Sequence, residues 1–314
     1  MPAFPTEYDP HPLNEDGVLH PDFDLKPITK TLFNITSLHI SLSLPEDVSD
    51  MITLICSFPR LENLSLRSTQ LRAAPHSTKW TPSLYRLPLV TLRNLHLSLI
   101  FHTKKSSDRD IWYGWMKTHP PSSLWLNDLS LVINIVEPHW SVNPARVFKL
   151  CNKQFLKVLH LKLVARLHLS EIQDVDSLAS KLIDISPLTS LETLRITIPD
   201  IQKREYSSPI IQLFGCIIRR ISSTEFYQLV IILKPSIFRL NDSDAPLAKE
   251  DWEFLDRAIY AMSSSPFVEV LIPSDLEDWN VHEKMLKEGF ARCWKDRRLV
   301  LRAHEELGKF CPWP

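Results

Sequence analysis

Apolar residues recur along this chain in a fixed step: two positions apart, with a third apolar residue three positions earlier. The step is most regular in Leu188–Pro199, LTSLETLRITIP, where Leu191, Leu194 and Ile196 carry it. Sliding the template along the sequence places it at Ile35/Leu38/Ile40, Leu61/Leu64/Leu66, Leu92/Leu95/Leu97 and Leu126/Leu129/Leu131. It recurs at Leu156/Leu159/Leu161, Leu191/Leu194/Ile196, Phe226/Leu229/Ile231 and Phe267/Val270/Ile272, and a degenerate ninth copy ends at Leu299/Leu301. Counted on the middle residue, the copies are 26, 31, 34, 30, 35, 35, 41 and 29 residues apart. The last two apolar residues of each copy are two apart, so both point to one face of a short strand. The lengths between copies leave room for a loop and a helix, the spacing of a strand-plus-helix repeat and not of a hairpin.

Between the strands, local signals predict the helices. Ser43 with Glu46 has the spacing of a capping box, and Pro45 falls in the first helical turn; Val48, Met51, Ile52 and Ile55 then space an apolar face. A short aromatic helix is expected around Trp112–Met116. Asn143-Pro144 opens another, running to about Lys153. Further helices are expected near Val175–Ile185, from Ser208-Pro209 through IIQLFGCIIRRI, over LAKEDWEFLDRAIYAM, and over His282–Trp294. Residues 1–30 carry six prolines and little periodicity, and are expected to form an extended arm. Residues 31–302 form the repeat, and residues 303–314 a tail suited to folding over the open end. No shift in composition divides the repeat into two domains.

Phrases such as ITSLHISL, ICSFPRLENLSL, LVTLRNLHLSL and LTSLETLRITI resemble the leucine-rich-repeat family, in particular the irregular, long repeats of fungal F-box-type proteins. The resemblance covers about residues 31–302. It implies an α/β solenoid with a parallel β-sheet on the concave face and helices on the convex face. It also implies a non-catalytic protein-binding role, linked to substrate recognition by a cullin-type ubiquitin ligase. The sequence departs from the family twice. Where the family usually carries an asparagine three residues after the last strand leucine, this chain has Ser43, Thr69, Ile100, Asn134, Val164 and Pro199 in successive copies. Residues 1–30 are also too short and proline-rich for an F-box. A partner chain would then supply ligase docking, or the chain is a structural or orphan paralogue that has lost that module.

Strand alternation assigns the residues beside each marker to the open face. From copy one to copy six this face is polar and mildly basic, with His39, Arg67, His96, His160, Lys162 and Arg195 as candidate partner contacts. Copies seven and eight turn apolar through Val230, Ile232 and Leu271. That end reads either as a hydrophobic pocket for a protein partner or as a surface covered by the chain's own tail or loops. Trp112, Tyr113, Trp115 and Trp125, with Trp140 beyond them, read either as a cluster packing a long loop or as an interaction hot spot.

Composition narrows the chemistry. A formal net charge of −1 and short basic stretches (Lys104-Lys105, Lys295–Arg298) give no nucleic-acid footprint. Five glycines form no phosphate cradle, dinucleotide turn or nucleophile elbow. No cofactor or catalytic site is expected. His39, His96 and His160 fall on alternate strands, about 10 Å apart at ~4.8 Å per strand, whereas metal ligands converge near ~2 Å from one ion. His282-Glu283 lacks the second histidine of a zinc-protease helix, and Asn241–Asp244 lacks the glycine and glutamate of a calcium loop. The five cysteines are dispersed, no stretch is apolar for the eighteen or so residues of a membrane span, and the N-terminus has no secretory pattern. These features together predict an intracellular protein, cytoplasmic or nuclear.

Overall fold

A computed structural model describes residues 34–41, 45–72, 92–101, 106–118, 125–134, 143–151, 154–164, 175–198, 204–238, 249–274, 276 and 279–304. Within them lies an α/β fold with one open, parallel sheet. Its strands are β1 (Ser37–Ser41), β2 (Pro45–Asp47), β3 (Asn63–Arg72), β4 (Asn94–Phe101), β5 (Asp128–Asn134) and β6 (Val158–Val164). They continue with β7 (Thr193–Thr197), β8 (Gln228–Ile232), β9 (Phe267–Pro273) and β10 (Leu299–His304). The strands lie side by side in chain order, except that the short β2 joins β3 beyond the end of β1. Pro45, which cannot donate to a ladder, thus sits in an edge strand, where proline is tolerated.

The register follows the apolar step. Leu38 pairs with Leu64, Leu64 with Leu95, Leu95 with Leu129, and so on through Leu159, Leu194 and Leu229. From β1 to β9 the ladder extends ahead of the strands in a repeated way. The amide of Asn63 donates to the Thr36 carbonyl (2.9 Å), Val158 to Asn127 (3.0 Å), Thr193 to Lys157 (2.9 Å) and Phe267 to Tyr227 (2.8 Å). That last bond corrects one expected register. Val268, and not Val270, is the partner of Leu229, and Val268 in turn pairs with Leu299. Valines 268 and 270 lie on the same face, so the apolar pattern permits both placements; the backbone ladder selects one.

One irregularity interrupts the ladder. Leu66 pairs with Leu97, but the next partner of Leu99 is Thr69, so Arg67 and Ser68 together oppose one residue of β4. Such a bulge re-aims the side chain it contains.

The helices are α1 (Val48–Cys56), α2 (Ser106–Thr118), α3 (Pro144–Leu150), α4 (Val175–Leu182), α5 (Arg204–Ile218), α6 (Lys249–Tyr260), α7 (Trp279–Gly289) and α8 (Ala291–Lys295). The expected apolar face of α1 is buried at Val48, Met51, Ile52 and Ile55. Pro45 and Glu46, however, belong to β2 and not to a capping box, because pairing with Gln70 and Leu71 holds them extended; Ser43 lies outside the described residues. The Asn143 cap forms as expected, its side-chain oxygen accepting from the Arg146 amide at 3.2 Å, with Pro144 opening α3. Helix α5 begins at Arg204, ahead of Pro209, so the proline sits inside it; near the helix start it removes only one early backbone bond. The expected last helix divides at Phe290 into α7 and α8. The arm (residues 1–30) lies outside the described residues, while the expected tail begins inside β10, which runs to His304.

Marker residues and helix apolar faces share one core. Leu64, Leu66, Leu129, Leu131, Leu159, Leu161 and Leu194 are fully enclosed with Ile52, Trp112, Phe214 and Trp252. Two glycines set how closely the helices approach. A Cβ at Gly215 would collide with the Phe254 ring of α6, and one at Gly289 with Trp252 Cβ of the same helix. Helix α6 also caps its neighbour: buried Asp256 accepts from the amides of Arg292 and Cys293, each at 3.1 Å, at the start of α8.

Two stability outcomes follow. Gly289→Ala lowers stability by about 1–3 kcal/mol in urea denaturation because of overpacking, although helix propensity alone would raise it by ~1 kcal/mol. Asp256→Ala costs roughly 1–3 kcal/mol by leaving one buried and one part-buried amide unsatisfied, and Asp256→Asn, which keeps one acceptor, costs less.

Candidate functional site

The helices cover one face of the sheet; the opposite face carries three rows of side chains set by the period of two. The row beside the strand starts reads Ser37, Asn63, Asn94, Asp128, Val158, Thr193, Gln228 and Phe267. Much of it is hydrogen-bonded from strand to strand. Asn63 Nδ2 donates to Ser37 Oγ at 2.8 Å, and Asn94 Nδ2 donates to Asn63 Oδ1. At the far end Thr193 Oγ1 donates to Gln228 Oε1 (3.4 Å), whose Nε2 donates to Glu269 Oε2 (3.0 Å).

The central row reads His39, Ser65, His96, Ser130, His160, Arg195, Val230, Glu269 and Val300. Serines 65 and 130 separate the histidines, as the alternation predicts. His96 Nδ1 bonds Ser130 Oγ at 2.7 Å, and His160 Nε2 bonds Thr197 Oγ1 on the next strand at 2.8 Å. Ser65 Oγ, in a side chain 3% exposed, has no hydrogen-bond partner among the described residues.

The nine residues expected on the open face therefore divide. His39, Lys162 and Arg195 are exposed, and Arg67 and Leu271 are half-buried. His96 and His160 are each only 8% exposed and form the floor between the cations. Val230 (4%) and Ile232 (7%) are also closed off, so they do not line an open hydrophobic pocket. With the corrected register Leu271 stands beside Ile232, and the central position of β9 is Glu269, ion-paired to Arg302 at 3.1 Å. Arg67 sits in the bulge of β3.

Burial and neighbouring cations keep the floor neutral. Desolvation lowers the His96 pKa to about 4, helped by Arg67, His39 and Lys162. It lowers that of His160 to about 3, helped by His96, Arg195 and Lys162. His39, nearer solvent, is lowered by burial and then by Arg67. Asp128 is the one acid of the rows from β1 to β7; burial raises it to about 6 against the pull of Arg195.

Three features of this site were not expected from the apolar step. One is the polar chain from Ser37 to Asn94. The second is a line of charge just ahead of the strands, where Arg93 meets Glu62 at 3.9 Å and Lys157 meets Glu192 at 2.6 Å. The third is the stack of Trp125 on Phe155, 4.9 Å between centroids and 4° between planes, both partly exposed. The signal was present: both rings stand four residues before the marker of consecutive copies. Trp112, Tyr113 and Trp115 are instead buried in the core with α2, and Trp140 lies outside the described residues. Burial pushes the thiols of Cys56, Cys151 and Cys293 up to about 12 and that of Cys216 up to about 11, so among the described residues the thiols stay protonated.

Comparison with protein-family models finds no match, and comparison with curated proteins finds none. Among the described residues no helix is long and apolar enough to cross a membrane.

The floor histidines set a pH dependence. Their folded-state values lie below the unfolded 6.5, so from pH 6.5 downward the unfolded chain binds more protons and stability falls. Asp128 acts oppositely between about pH 6 and 3.8, where the native state holds the extra proton. Two histidines outweigh one carboxyl. The urea midpoint is expected to drop on acidification, with His96 alone contributing on the order of 3 kcal/mol at full protonation. The double variant His96→Asn/His160→Gln, which keeps a polar atom near each bonded nitrogen, flattens that slope; an unchanged slope refutes the assignment.

Proposed function

We propose that this chain is a leucine-rich-repeat-like solenoid that binds a protein partner, without catalysis, on the concave, helix-free face of its sheet. The observation that carries this reading is the continuous register of that face. Side chains from six adjacent strands, β1 and β3 to β7, form a fixed surface in which Arg67, Lys162 and Arg195 surround a neutral, hydrogen-bonded floor. The F-box-type resemblance of the leucine phrases adds the biological role, recognition of substrates for a cullin-type ubiquitin ligase. Free, dispersed cysteines support a reducing, intracellular setting. A second reading, a structural or orphan paralogue with no dedicated partner, is favoured by the floor itself, whose histidines are already satisfied by neighbouring hydroxyls.

Affinity purification followed by mass spectrometry separates the two. The full chain is compared with Arg67→Glu/Lys162→Glu/Arg195→Glu, which leaves the buried histidines intact, after circular dichroism has verified folding. The expected result is a partner lost selectively from the triple variant, accompanied in the wild type by ligase subunits. Identical partner sets would remove the sheet face from recognition, and the absence of any specific partner would favour the orphan reading.

A further inference from the structure

We propose that the chain pairs with a second copy of itself through the outer edge of β10. The two strands run antiparallel about a twofold axis at Leu301 and join two sheets into one.

Strand β10 ends the sheet. It pairs with β9 on one side, and among the described residues no strand adjoins the other side. The ladder fixes which groups that side presents. The amide and carbonyl of one strand residue point the same way, and those of the next residue point the opposite way. The carbonyls of Arg298 and His304 accept from the amides of Val268 and Ser274, each at 2.8 Å. Arg298, Val300, Arg302 and His304 therefore face β9, and Leu299, Leu301 and Ala303 turn their backbone groups outward. Sheet ends usually carry lysine, proline or a bulge against further pairing. Leu299–His304 has none of these, and its register with β9 runs unbroken. The other end of the sheet differs, being divided between the short β1 and β2 and carrying Pro45.

Among registers that overlap most of the strand, charge selects one. With Leu301 opposite Leu301 of the second copy, Leu299 faces Ala303, and every outward amide and carbonyl of these residues is bonded across the axis. Val300 then lies beside Arg302 of the second copy on the helix-free face. It meets the aliphatic stem of an arginine whose charge is held by Glu269 at 3.1 Å. Centring the pairing on Val300 instead sets Arg298 against Arg302, and centring it on Arg302 sets that residue against itself. Like charges directly opposite one another are unfavourable. Burial favours the same pairing. Leu301 packs against the core yet stays half-buried, and Val300 is 38% exposed; the second copy covers both. One short strand from each copy makes a small contact, so the dimer is weak and depends on concentration.

The test is sedimentation velocity of the full chain from low to high micromolar concentration, with amide hydrogen exchange over residues 299–304 at both extremes. The expected result is a monomer–dimer equilibrium in which the amides of Leu299, Leu301 and Ala303 gain protection as concentration rises. Ala303→Pro removes an amide that faces away from β9, a position where proline is tolerated, and should abolish the dimer. Val300→Lys, which the ladder sets beside Glu269 of its own chain, keeps the fold. It should weaken the dimer about tenfold, because each new lysine meets Arg302 of the other copy. A monomer at every concentration overturns the proposal, as does a dimer that neither substitution affects. Protection of the outward amides that does not change with concentration also overturns it, and assigns the edge to the chain's own residues.

Discussion

The structure depends on one constraint: each strand must keep two aliphatic side chains, two positions apart, against the helices while its backbone pairs with the strand before it. A slip of one residue would turn every buried leucine outward. Parallel pairing leaves no tight turn between neighbours, so each connection has to cross back over the sheet, and the helices that do so bury the leucines. Everything on the opposite face follows from that arrangement. Once Leu64, Leu95, Leu129, Leu159 and Leu194 are fixed in line, the residues one position on are fixed in line too.

The opposite face is therefore a by-product of the core that has its own energetics. The stretch of its central row from Ser65 to His160 is desolvated, and the two histidines in it respond by staying neutral. Placing protonated imidazoles beside Arg67, Lys162 and Arg195 would add repulsion to the cost of burial. Neutral imidazoles bonded to serine and threonine avoid both. The permanent charge is left to the exposed Lys162 and Arg195 and to the half-buried Arg67.

The fold was legible in the sequence where a single period decided it. Eight of the nine marker positions are where the apolar step places them, because alternation allows no other face. The ninth, in β9, failed for a physical reason: valines at 268 and 270 satisfy the core equally, and only the Phe267 amide bond to Tyr227 separates the two registers. Helix starts were legible where a side chain caps them, as at Asn143, and not where strand pairing competes, as at Pro45. For the site, membership of the face was legible and exposure was not. Whether His96 is open depends on the serines across from it on both neighbouring strands, and Val230 and Ile232 are closed although their alternation is that of surface residues. The bulge at Arg67 has no signature in the apolar step.

The in-order sheet also bears on how the molecule is made. From β3 onward each strand pairs with one that left the ribosome a few tens of residues earlier, and no strand waits for a partner still to be synthesised. Synthesis runs at about 5–20 residues per second, so a nascent strand meets a finished template within seconds. At the growing end the newest strand presents an unpaired edge, and the next one to emerge covers it. A large parallel sheet, ordinarily slow to form because its contacts are distant in sequence, is here assembled in the direction of translation.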